Sequence, residues 1–109
     1  MTWPYNKFKN KRTVVDGITF MSQKEAKRYH ELKVLQEAGA IRLLEMQPKF
    51  KIEVNGHKVC TYIADFQYYD VGAGHDVVED VKGVETPIFR LKAKLLKACY
   101  PLLDFRIVK

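Results

Sequence analysis

Apolar and polar residues alternate with a period that changes several times along this chain, and each change marks an element. Thr13-Val14-Val15 and Ile18-Thr19-Phe20 are short β-branched runs flanking Asp16-Gly17, a dipeptide that favours a two-residue hairpin turn. Ser22 followed by Glu25 is a capping-box pattern and predicts a helix from Ser22 to about Ala38, ended by Gly39. On a helical wheel Ala26, Tyr29, Leu32 and Leu35 fall on one arc, with Glu25 in the middle of it. Ile41 to Met46 reads as a short apolar connection leading to Gln47-Pro48. Lys49 to Val54 then alternates strictly, as a half-buried strand does, and Asn55-Gly56 is a second tight turn.

Lys58 to Tyr69 is predicted to be one long strand, and Asp76 to Lys82 a third strand ending at Gly83. The loop between them, Asp70 to His75, carries two glycines. Thr86-Pro87 suits the cap and first turn of a helix running from Pro87 or Ile88 to about Cys99. Ile88, Leu91, Leu95, Leu96 and Cys99 form its expected apolar face. After Pro101, Leu103, Phe105 and Ile107 alternate as a last strand, which a helical crossover allows to run parallel to another. The expectation is an α+β (α/β) domain over residues 13–109: a mixed sheet of about four strands, two flanking helices and an N-terminal hairpin. No repeat or linker interrupts it.

Acidic residues then stand out where the strands would keep apolar ones. If Asp70 and His75 close their loop, pairing back along the ladder sets Asp65 opposite Asp80. Strand alternation puts Val78, Asp80 and Lys82 on one face, and Ile63, Asp65 and Gln67 on one face. Like charges directly opposite each other destabilise a hairpin, so the pair points to a divalent cation. The same charges also suit the solvated face of an antiparallel sheet, and a one-residue slip would separate them. Glu25 has two readings, folding back onto the helix end or reaching across to the acidic patch. Lys82 likewise serves as a simple ion-pair partner or as a catalytic cation. Glu25, Asp65, Asp80 and Lys82 offer hard oxygen ligands for Mg²⁺ or Mn²⁺ and one ammonium beside them.

The chain of 109 residues carries a formal net charge of +6, which favours a polyanionic partner. Lys7, Lys9, Lys11 and Arg12 cluster with Trp3, Tyr5 and Phe8 in a basic-aromatic arm over residues 1–12. Arg90, Lys92, Lys94 and Lys97 crowd the second helix. Such segments can lie along phosphates, and the arm can equally be a frayed terminus. The chain lacks a membrane-length apolar run and a signal-peptide pattern, so a cytoplasmic protein is expected. Cys60 and Cys99 are widely spaced and are expected to be reduced thiols.

The ordered set Glu25, Asp65 and Asp80-Val81-Lys82 resembles the PD-(D/E)xK nuclease superfamily, and the element order is similar to its common core. The runs Val-Asp-Gly-Ile-Thr-Phe, Ser-x-x-Glu-Ala, Gln-Pro-Lys-Phe, Tyr-Ile-Ala-Asp-Phe and Val-Glu-Asp-Val-Lys-Gly look like a small phage and prophage family within it, similar to the junction-resolving phage endonuclease I enzymes. The resemblance implies a restriction-endonuclease-like core, with Asp65, Asp80 and the Val81 carbonyl as metal ligands. It also implies Glu25 on the metal directly or through water, Lys82 as catalytic lysine and Gln47 as an accessory. Ala64 departs from the motif's proline, and Asp80 from its more usual glutamate; Glu79 is a rival ligand that alternation turns to the other face. The implied activity is a metal-dependent endodeoxyribonuclease acting as a homodimer on branched DNA, with Lys7, Lys9, Lys11, Arg12, Arg90, Lys92 and Lys94 on the phosphates. A general nicking or end-processing nuclease, and a non-catalytic DNA-binding accessory protein, are the alternatives.

Overall fold

A computed structural model of the chain describes residues 12–109. A hairpin of β1 (Thr13–Val15) and β2 (Ile18–Phe20) leads into helix α1 (Gln23–Glu37). Strands β3 (Ile41–Met46), β4 (Lys49–Val54), β5 (His57–Ile63), β6 (Phe66–Asp70) and β7 (His75–Val81) follow. Helix α2 (Pro87–Cys99) then returns the chain to β8 (Asp104–Val108). The main sheet has the order β3-β6-β7-β8, with β8 parallel to β7 and the other pairs antiparallel. Strands β4 and β5 form a separate two-stranded ribbon. The architecture is the predicted one: α+β, two helices, a mixed four-stranded sheet and an N-terminal hairpin.

Local chemistry explains both helices. The Ser22 hydroxyl accepts the Glu25 amide at 3.1 Å and caps α1. At the other end the Ala40 amide reaches the Leu35 carbonyl and the Gly39 amide the Gln36 carbonyl. This paired closure needs the left-handed residue that Gly39 supplies at φ +83. The Thr86 hydroxyl accepts the Phe89 amide to cap α2, whose first residue is Pro87.

The sheet separates two cores. On one side α1 contributes Ala26, Tyr29 and Leu32, packed on Phe20, Ile41, Phe66, Tyr68 and Val77. On the other side α2 contributes Phe89, Ala93 and Leu96, packed with Val78 of β7 and with Ile52, Tyr62 and Ala64 from the ribbon and the chain just after it. Among the described residues no helix is long and apolar enough to cross a membrane.

Four sequence expectations are corrected. Ile41 to Met46 is a strand, not a connection, and pairs with β6. Its period is hidden by a bulge between Arg42 and Glu45, where Leu43 takes φ +58. The long strand from Lys58 to Tyr69 is two strands in different sheets, broken at Ala64-Asp65. The break is fixed from outside: the Ala64 amide donates to the Pro48 carbonyl and the Gln47 amide to the Asp65 carbonyl. Ile63 therefore shares no face with Asp65 and is exposed on β5. On the helices, Leu35, Ile88 and Leu91 are exposed rather than buried, and Phe89 takes the core position of α2. The outcome follows tertiary placement, since α2 rests on the ribbon as well as the sheet.

Candidate active site

The Asp70–His75 pairing holds, and with it Phe66 stands opposite Glu79. One step back along the ladder brings Asp65 level with Asp80, and the Asp65 amide donates to the Glu79 carbonyl at 3.1 Å. Asp65 Oδ2 accepts the Val81 amide at 2.7 Å. Its carboxylate is thus anchored on the peptide that follows Asp80. Asp80 is 3 % exposed, and one of its oxygens accepts the Tyr62 hydroxyl. Lys82 Nζ lies 3.8 Å from Asp80 Oδ1 and 5.0 Å from the centre of the Phe89 ring. The Lys82 amide donates to the Val108 carbonyl, which ties the site to the end of β8.

Electrostatics reveal who faces whom. Burial, then the neighbouring Asp65, pushes the Asp80 carboxyl up to about 7, while the Tyr62 hydroxyl and the Lys82 ammonium oppose the rise. Burial and Asp65 likewise push Glu25 up to about 7, again against Lys82. Asp65 and Lys82 are thus the charged neighbours that Glu25 senses. Among the described residues its carboxyl makes no hydrogen bond back to Ser22. Asp65, Asp80 and Lys82 come together at the end of β7 and the start of β6, and Glu25, in the first turn of α1, is an electrostatic neighbour of Asp65 and Lys82.

The rival acid is elsewhere. Glu79 is 1 % exposed and turned to the α1 side, where Arg28 grips it bidentately at 2.7 and 2.6 Å and the Tyr68 hydroxyl donates to it. Glu79 therefore serves as a structural anchor. Arg28 lies one helical turn after Glu25, so this grip sets the position of Glu25 over the sheet.

Sequence reasoning missed two contributors. Arg28, three residues beyond Glu25 on the same stripe, had a readable signal in that spacing. Tyr62 had none, because its contact with Asp80 depends on the ribbon folding over the sheet. Gln47 is exposed and takes φ +54; it touches the site through its own amide on the Asp65 carbonyl. Arg90, Lys92 and Lys94 are exposed on α2. Of the basic arm, Arg12 is exposed, and Lys7, Lys9 and Lys11 lie outside the described residues.

The donor set suits a hard divalent cation: carboxylate oxygens, two of them on groups, Glu25 and Asp80, that burial and the neighbouring Asp65 keep partly protonated near neutrality. Among the described residues no three His, Cys, Asp or Glu groups form a ready-made ligand cluster. The carboxylates Asp65 and Asp80 are the pair available.

Comparison with curated proteins and with solved structures gives no match. A family match covers residues 5–109, and the chain belongs to the family described as Protein of unknown function (DUF1064).

Proposed function

We propose that this protein is a divalent-metal-dependent endodeoxyribonuclease of the PD-(D/E)xK type, cutting phosphodiesters in branched or otherwise structured DNA. The observation that carries the proposal is the convergence of Asp65, Asp80 and Lys82 at the end of β7, with Glu25 of α1 an electrostatic neighbour of Asp65 and Lys82. Asp65 and Asp80 would hold Mg²⁺ or Mn²⁺, with Glu25 directly or through water and the Val81 carbonyl beside them. Mg²⁺ commonly keeps several waters and takes substrate phosphate oxygens, so two protein carboxylates are enough to seat it. When bound, the cation supplies charge neutralisation at the scissile phosphate and acidifies the attacking water.

The chain's own groups do the rest. The Val81 amide and the Tyr62 hydroxyl each fix one carboxylate, so both are oriented before substrate arrives. Lys82 is partly exposed beside Asp80 and would donate to the attacking water or to the charge growing on the phosphate. The exposed cations Arg90, Lys92 and Lys94 would contact flanking phosphates. Resolving a junction needs two symmetric cuts, so a homodimer acting in the cytoplasm belongs to the same proposal.

The second reading is a DNA-binding accessory protein without catalysis, and the basic exposed face of α2 favours it independently of the carboxylates. Cleavage of a labelled four-way junction beside its linear arms, with Mg²⁺, Mn²⁺ or EDTA, tests the choice. Symmetric, metal-dependent cuts in the junction, lost in Asp80→Ala, support a resolvase. Equal cutting of every DNA supports a general nuclease. Binding with no cutting under either metal supports the accessory protein.

A further inference from the structure

A cleft of about 290 Å³ lies between α1 and the end of β8, next to the candidate active site. Lys24, Lys27, Arg28 and Lys109 line it, with Glu31 as its acid. Two of those cations are already committed: Arg28 to Glu79 and Glu31, and Lys109 to Glu85. Lys24 and Lys27 are exposed and make no ion pair among the described residues. Their charges remain for an anion from outside.

The cleft adjoins the site at two points. A Cβ placed on Gly83 would stand 3.9 Å from Lys24 Nζ, and Gly83 directly follows Lys82. Val108, another lining residue, accepts the Lys82 amide through its carbonyl at 2.9 Å. Lys24 also directly precedes Glu25. A strand with one phosphate at Asp65, Asp80 and Lys82 therefore has a cationic cleft beside it for a neighbouring phosphate.

We infer that this cleft is a phosphate subsite, in which Lys24 and Lys27 hold a backbone phosphate flanking the one at the carboxylates. The inference rests on the nuclease reading for the identity of the anion. Exposed lysines hold a small anion weakly in water, whereas a polyanion gains from releasing its condensed counterions at each contact. The polyanion is the ligand that fits.

The test is fluorescence anisotropy of a labelled duplex and a labelled four-way junction over a salt series, in EDTA. The chains compared are wild type, Lys24→Ala/Lys27→Ala, Lys24→Arg/Lys27→Arg, and Lys58→Ala on the ribbon. The double alanine variant should lose about tenfold in affinity at about 0.1 M salt per phosphate contact removed. Its log–log salt slope should fall by about one per contact, on both DNAs alike. The double arginine variant should keep both quantities. Unchanged affinity and slope in the double alanine variant would overturn the subsite. A wild type that binds with the lysine-dependent slope yet cuts nothing with Mg²⁺ or Mn²⁺ leaves the subsite standing and removes the nuclease. A wild type that binds no DNA overturns both.

Discussion

Asp65 accepts a 2.7 Å hydrogen bond from the amide of Val81, the residue immediately after Asp80. That bond continues the β6–β7 ladder with a side chain: the Asp65 amide still donates to the Glu79 carbonyl, while the Asp65 carbonyl has turned away to accept the Gln47 amide. The two carboxylates are thereby held together by the same strand register that makes the hairpin. Asp65→Ala should destabilise the fold by about 1.5–3 kcal/mol, the range for a hydrogen bond to a charged group. Asp65→Asn retains an acceptor and should cost less, while Mn²⁺ binding falls in both. Urea unfolding with calorimetric Mn²⁺ titration separates the two effects. Unchanged stability in Asp65→Ala would show that the Val81 bond contributes nothing.

Glu25 and Asp80 are both raised to about 7, from ordinary values of 4.5 and 3.8. A carboxyl raised on folding binds more protons in the native state than in the unfolded one across that interval. Stability contributed by these groups is therefore complete below about pH 4 and declines as pH rises toward 7. Metal-free protein should lose urea stability between pH 4 and 7, and Glu25→Gln/Asp80→Asn should flatten that decline. Divalent cation should stabilise more strongly above pH 7 than below it, because binding needs the ionised carboxylates. A metal-free profile that rises through the same interval in wild type alone would contradict the arrangement.

Arg28 and the buried Glu79 form the clamp that sets α1 on β7. Removing one partner leaves an uncompensated buried charge, so Arg28→Met should cost about 3–5 kcal/mol. Arg28→Met/Glu79→Gln should recover a large part of it, since the orphan charge is gone and Tyr68 can still donate to the amide. Chemical denaturation of the single and double variants measures this directly. Equal losses in both would mean that the clamp acts through packing rather than charge.

The register of the Asp70–His75 hairpin and the caps of both helices were legible because each depends on residues close in sequence. So was the face of Asp80 and Lys82, which follows from strand alternation once β7 is placed. Other features were not local. The break at Ala64-Asp65 carries no glycine or proline and is fixed by bonds to Gln47 and Pro48. The strand at Ile41–Met46 was masked by the bulge at Leu43, which shifts its alternation midway. Tyr62 reaches Asp80 only because the ribbon lies over the sheet.

Lys82 gives the sharpest test of a cation-assisted hydrolytic site. It donates its backbone amide to Val108 whatever its side chain is, so Lys82→Ala should keep the fold and the DNA affinity nearly intact. Single-turnover cleavage of a labelled four-way junction by wild type and Lys82→Ala, with Mg²⁺ and with EDTA, is the measurement. A site built on Glu25, Asp65, Asp80 and Lys82 predicts cutting by wild type with Mg²⁺ only, and a loss of about 10²-fold or more in the variant. Cutting that persists in EDTA, or a variant as fast as wild type, would contradict it.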